Sequence, residues 1–315
     1  MVGLGSNDSL RGIFSTIFQE HFSLTTTQLG LIVTASYIGN LVFLLVGGNL
    51  STRFSKKRVL QVLILIWMAA LALFAFTSNY TVLLIGMALA LGSSTLLNTT
   101  MNLITPLLFA TAPGFFVNFL FFTQEIGTSG SQYILGSHAD GFAFWQHTNL
   151  VLLILGAVAF VLLLFCNVPE EAAAPADAPA QKGGYDWRII VPYVLVFGFY
   201  FIAEHGVMNW MVAYGVDGLG LPQASAAKYL SVFFGGMMIG RLCLSPLVDK
   251  LGALKSLAAF GGVSCVLYLI GSLGGAVTMP VWAISGLSFS ILYPTLVMSI
   301  RLYFPAQQVL SLIHI

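Results

Sequence analysis

Val59–Gln124 reads VLQVLILIWMAALALFAFTSNYTVLLIGMALALGSSTLLNTTMNLITPLLFATAPGFFVNFLFFTQ, 66 consecutive residues without one Asp, Glu, Lys or Arg. An α-helix needs about 20 residues to cross roughly 30 Å of hydrocarbon. This stretch therefore holds two complete spans and opens a third. The runs are continuously apolar with no period-two alternation, so the spans are helices and not barrel strands. Outward from this block, turn signals place spans near 29–50, 59–76, 81–105, 117–136, 148–167, 189–213, 226–246, 256–274 and 279–303. A helix over 3–18 opens the chain, making ten.

Composition agrees with the block. Of 315 residues, 58% are hydrophobic and 7% charged, with a mean hydropathy of +0.93; soluble domains carry about 25% charged residues. So few charges could not cover a water-exposed surface, and soluble enzymes of every class are excluded. A net charge of +1 leaves no basic patch for nucleic acid. Cys166, Cys243 and Cys265 lie singly in apolar runs and read as small buried hydrophobes. No phosphate loop, metal-ligand spacing or nucleophile–base pair occurs, so the chain is expected not to be an enzyme and to need no cofactor.

Ten of the twelve basic residues fall on one side of the alternating connections, Arg53, Lys56, Lys57 and Arg58 among them. The positive-inside rule puts that side, and both ends of each half, in the cytoplasm of a cell (inner) membrane. The polar stretch Val168–Asp186 follows six spans and has the composition of a flexible linker. The expected organisation is 1–167, a six-helix half with its first helix cut short; 168–188, a cytoplasmic linker; and 189–309, four helices of a second six-helix half. Leu310–Ile315 reads as an artefactual tail. The halves repeat at an offset of 197 residues: Gly39 matches Gly236, and the loop Leu50–Ser55 matches Leu247–Gly252. Parallel repeats joined by a cytoplasmic linker are a transporter architecture with the solute site between the halves.

The loop Gly240-Arg241 … Asp249-Lys250-Leu251-Gly252 resembles the signature loop of the major facilitator superfamily. Its first copy, from Gly48 to Lys57, keeps Arg53 but has Thr52 and Ser55 where the motif has Asp and Gly. More narrowly, Asn7-Asp8, Asn98–Asn102, Gln124 with Gly130, Ala203-Glu204 through Trp210 and Tyr214, and Ser290–Thr295 are similar to the fucose/galactose/glucose:proton symporter family. The resemblance implies an all-α membrane bundle of two pseudo-symmetric halves, with about ten of twelve helices present and truncation at both ends. It further implies a monomer in the lipid bilayer carrying a small polar solute, expected to be a sugar, by alternating access and proton-coupled symport. Gly48, Arg53, Arg241, Asp249, Lys250 and Gly252 would form conformational latches. Two other readings stay open: drug or metabolite export by the same fold, and a non-transporting receptor or scaffold.

Ionisable groups inside hydrocarbon cost about 2.5–3.5 kcal/mol by insertion scales, so each is a functional candidate. Asp8 matches the family's first-helix proton-coupling aspartate; Arg11, three residues on, could instead hold it in a static ion pair. Glu125 lies near the middle of its span and is the second proton-coupling candidate, compensating for Asn98 where the family has an acid. Sugar recognition needs amides and carboxylates with aromatic cover. Asn98, Asn102, Gln124, Glu204, Asn209, Trp210, Tyr214 and Tyr293 are therefore the substrate-binding candidates. Interhelical hydrogen bonding is the competing role of the asparagines, and an interfacial aromatic belt that of Trp210 and Tyr214.

Overall fold

The protein is described by a computed structural model covering residues 1–109, 113–168 and 187–303. The first bundle comprises α1 (Val2–Ile13), α2 (Ser15–His21), α3 (Thr26–Arg53), α4 (Lys56–Phe76), α5 (Tyr80–Leu108), α6 (Pro113–His138) and α7 (Phe142–Phe165). The second comprises α8 (Trp187–Ala213), α9 (Gln223–Cys243), α10 (Ser245–Leu251), α11 (Ala253–Leu273), α12 (Met279–Phe289) and α13 (Leu292–Tyr303). A π-helical turn, Tyr214–Gly218, extends α8.

Helix starts follow local chemistry. Ser55 Oγ accepts the Arg58 amide to cap α4, and Asn79 Oδ1 accepts the amides of Thr81 and Val82 to cap α5, satisfying donors that the first turn leaves open. The expected opening helix runs on to His21 and breaks at Phe14. The expected span over 279–303 divides between α12 and α13 at Ser290–Ile291.

The buried apolar side chains fall into two clusters, one drawn from residues 4–152 and one from 200–296. In the first, Trp145 is the hub: Phe14, Phe18 and Phe74 lie with ring centroids 5.3, 4.8 and 5.1 Å from it. In the second, Tyr200 stacks on Phe289 at 4.9 Å, and Phe233, Phe234 and Met237 of α9 fill the centre. The internal repeat is visible in both. α3 and α9 begin at Thr26 and Gln223, and α4 and α11 run over Lys56–Phe76 and Ala253–Leu273, all at the same 197-residue offset. α3 crosses α5, and α9 crosses α12, through glycine in each case. A Cβ on Gly39 would overlap the Ala88 carbonyl, and one on Gly286 the Phe233 carbonyl, so only a bare backbone allows these approaches.

Among the described residues, seven helices are long and apolar enough to cross a membrane, Lys56–Phe76 and Phe142–Phe165 among them. α6 and α9, read from sequence as spans, are long enough but more polar. The reason is where they lie: they pack on each other as the main contact between the bundles, with α1 and α2 against α8 as the second. Thr128, Ser131 and Gln132 of α6 and Ser231 of α9 are buried in protein, while Leu45, Phe165 and Leu273 on other helices point outward. The three cysteines are also on the outer surface, which corrects their reading as buried. In a membrane protein an apolar run predicts contact with lipid as readily as with the core.

Candidate functional site

The polar residues inside the bundle form a continuous seam between the two halves. On α5, Ser94, Asn98 and Asn102 are spaced four apart and so share one face. Ser94 Oγ donates to Asp8 Oδ1 at 3.2 Å, and Asn7 Nδ2 approaches the same oxygen at 3.5 Å. Asn102 Nδ2 donates to Asn98 Oδ1 at 2.9 Å, and Asn98 Nδ2 donates to Gln124 Oε1 at 2.8 Å. This amide ladder joins α5 to α6 and leaves Asn102 Oδ1 buried without a partner.

One residue beyond the ladder, Glu125 Oε1 accepts from Arg241 of α9 at 2.6 Å, an ion pair across the two bundles. Their side chains are only 13% and 23% exposed, and Glu125 Oε2 is buried without a partner. Glu204 of α8 is within electrostatic reach of both. Tyr200, one turn earlier, is buried with its hydroxyl toward Glu204 but short of a geometric hydrogen bond. Tyr293 lies against Tyr200 with centroids 5.8 Å apart.

A second cluster lies where α1 meets α8. Arg11 Nε donates to Asn209 Oδ1 at 3.3 Å, and Asn209 Nδ2 donates to Tyr37 Oη at 3.2 Å and to the His205 carbonyl at 2.7 Å. Asp8 and Arg11 are within electrostatic reach of each other, but the expected static ion pair is not among the contacts of the described residues: Arg11 is turned across to Asn209 of the other bundle. The seam closes with Ser129 and Ser231, each hydroxyl donating to the other's carbonyl at 3.0 and 2.9 Å. Gln223 accepts from Thr16 at 3.1 Å and donates to the Ile13 carbonyl at 2.7 Å.

The structure thus brings Asp8, Asn98, Asn102, Gln124, Glu125, Glu204, Asn209 and Tyr293 into one seam. Trp210 packs against the first apolar cluster from α8. Tyr214 is not part of the seam: its hydroxyl is committed to the Ser272 carbonyl at 2.8 Å and its ring lies against Trp282. Among the latch residues, Arg241 is turned into the seam toward Glu125. Lys250 is exposed, and Gly252 ends α10 at φ +80°, a conformation that favours glycine. The side chains of Gly48, Arg53 and Asp249 lie outside the described residues, as do the linker over 169–186 and the tail after 303. Sequence reading missed Ser94, Tyr37, Ser129 and Ser231. Only Ser94 had a signal, as the next member of the stripe Asn98–Asn102.

Two pseudo-symmetric helical bundles with a charged seam inside an apolar body define a multi-pass membrane protein of transporter build. Residues 2–313 match the model of the Major Facilitator Superfamily, and the chain belongs to that family, whose members transport and do not catalyse. It is 24% identical over 333 residues to the L-fucose-proton symporter of Escherichia coli (strain K12), covering 92% of this chain and 75% of that protein. It is 28% identical over 231 residues to the hexuronate transporter of Bacillus subtilis (strain 168), covering 68% and 53%. The fold superimposes on the inward-open xylose transporter XylE from E. coli with a TM-score of 0.75 at 14% identity, covering 99% of this chain and 83% of that one.

Proposed function

We propose that the protein is a proton-coupled symporter of a sugar or similar small polar solute, working by alternating access between its two halves in the cell membrane, with the linker side cytoplasmic. The carrying observation is the seam itself: an amide ladder suited to hydroxyl groups lies one residue from a buried carboxylate whose cation comes from the other bundle. Rocking the halves changes the surroundings of Glu125 and Arg241 together, so solute position and proton occupancy can be linked. Asp8 and Glu125 are the proposed proton carriers. Asn98, Asn102, Gln124, Glu204 and Asn209 hold the solute, and Tyr293 covers it. The names of the relatives, sugar carriers both, support this class. An apolar groove of about 660 Å³ between α8, α11 and α12–α13 does not favour drug export. Its lining residues Phe199, Leu254 and Leu269 are exposed on the outer surface.

The test is uptake of labelled neutral and acidic sugars into proteoliposomes with and without an inside-alkaline pH gradient. Gradient-driven accumulation is expected. Glu125→Gln, and separately Asp8→Asn, should abolish it while leaving solute exchange. Uptake indifferent to the gradient, or unchanged in both variants, would refute the reading.

A further inference from the structure

We infer that Arg11 anchors the carboxylate of an anionic cargo, so that the solute is a small polyhydroxylated acid of the hexuronate type and not a neutral sugar. This rests on the transport reading above and names its substrate class.

Among the described residues, two guanidinium groups are buried between the bundles, and they are treated differently. Arg241 is matched by a carboxylate at 2.6 Å. Arg11 is more deeply buried, at 4% exposure, yet gives only its Nε–H, to the neutral amide of Asn209. Its terminal nitrogens have no protein acceptor among the described residues, and they are not among the fully enclosed polar atoms, so they keep hydrogen-bonding capacity for a ligand. The nearest acid along α1, Asp8, is within electrostatic reach of Arg11 but makes no ion-pair contact with it, and spends Oδ1 on Ser94 and Asn7. Tyr37 gives only a ring, 5.9 Å from the guanidinium carbon. A cation withdrawn from water without a carboxylate in contact is costly, and a planar fork with free N–H groups fits a carboxylate through two parallel hydrogen bonds.

His205 supplies an independent sign in the same cluster. Its Nδ1 is buried without a partner, while its ring is fixed between Phe201, stacked at 5.6 Å, and Tyr37 at 5.3 Å. Two polar groups with unspent hydrogen-bonding capacity, from opposite bundles, therefore flank one place. The rest of such a solute has a route along the seam. Asp8 binds Ser94, and the α5 stripe leads from Ser94 through Asn98 to the unpaired Asn102 Oδ1, which can accept from a hydroxyl. At the end of the molecule beyond Gln223, a pocket is lined by Glu20, Asp140 and Asp217. Its field is screened over about 8 Å at physiological salt, so selection for the anion is local to Arg11.

The test is titration of the purified full-length protein with D-glucuronate and D-glucose by calorimetry, with Arg11→Gln, Arg11→Lys and Asn209→Ala beside the wild type and folding checked by thermal melting. Wild type should bind glucuronate at least tenfold more tightly than glucose. Arg11→Gln should weaken glucuronate about a hundredfold, as expected for a lost bidentate charged contact. Arg11→Lys, which keeps the charge without the fork, should weaken it about tenfold. If Arg11→Gln does not fold, Arg11→Lys and Asn209→Ala decide, the latter expected to weaken glucuronate by freeing the guanidinium from its fixed orientation. Glucose bound as tightly as glucuronate, or glucuronate affinity unchanged in the folded Arg11 variants, overturns the inference. Gradient-driven uptake of glucose without binding of glucuronate overturns it while leaving the transport reading intact; binding and uptake of neither sugar overturns both.

Discussion

Replacing Arg241 by glutamine removes the only cation in contact with Glu125 among the described residues, and the cost can be worked out. Breaking one side of a buried ion pair typically costs about 3–5 kcal/mol. Glu125 has a way to limit that cost, because it can take up a proton. Relative to an unfolded chain whose glutamate titrates near 4.3, protonation costs about 1.36 kcal/mol for each pH unit above that value. The loss in Arg241→Gln is therefore capped near 3.7 kcal/mol at pH 7 and near 1 kcal/mol at pH 5. The sign follows from proton count: the folded variant binds one proton more than its unfolded chain, so its stability falls as pH rises. Glu125→Gln behaves differently. Arg241 cannot shed its proton, so its loss should stay at about 3–5 kcal/mol at both pH values. The double variant Glu125→Gln/Arg241→Gln leaves no orphaned charge and should fall within about 2 kcal/mol of wild type. The assay is equilibrium unfolding in mixed micelles at pH 5 and pH 7. A loss in Arg241→Gln that does not change with pH, or a double variant less stable than either single one, would refute the pairing as the source of the stability.

Two other outcomes follow from the seam. Asn98→Leu leaves the amides of Gln124 and Asn102 without their shared partner; it should cost only about 1 kcal/mol of stability but raise the half-saturating solute concentration in counterflow at least tenfold, and unaltered half-saturation would remove Asn98 from the solute site. The hydroxyls of Ser129 and Ser231 are 3.3 Å apart across the bundles, so the double variant Ser129→Cys/Ser231→Cys should cross-link on oxidation and stop exchange until reduced. Cross-linked protein that still exchanges solute would show that this seam does not open in the cycle.

The placement of individual residues shows where sequence reading ended. The block from Val59 to Gln124 fixed the medium, since no charge-free run of that length survives in water, and the 197-residue repeat fixed the duplication. Asn98 and Asn102 were paired by helical spacing alone. The partner of Glu125 could not be found that way. Arg241 lies 116 residues along the chain at the end of another helix, and its charge counted equally well toward the cytoplasmic face. Arg11 was read against Asp8 because proximity on one helix is the only contact a sequence shows; its actual partner, Asn209, comes from the opposite bundle.

The chain by itself determined that this is a helical membrane protein built twice, because hydrophobic length and internal periodicity are local properties of the covalent order. Which polar groups share hydrogen bonds, and which cation meets a carboxylate, was decided only when α1 met α8 and α6 met α9. Those pairings depend on distances between residues far apart along the chain, and in a medium without water such distances set the cost of every buried charge.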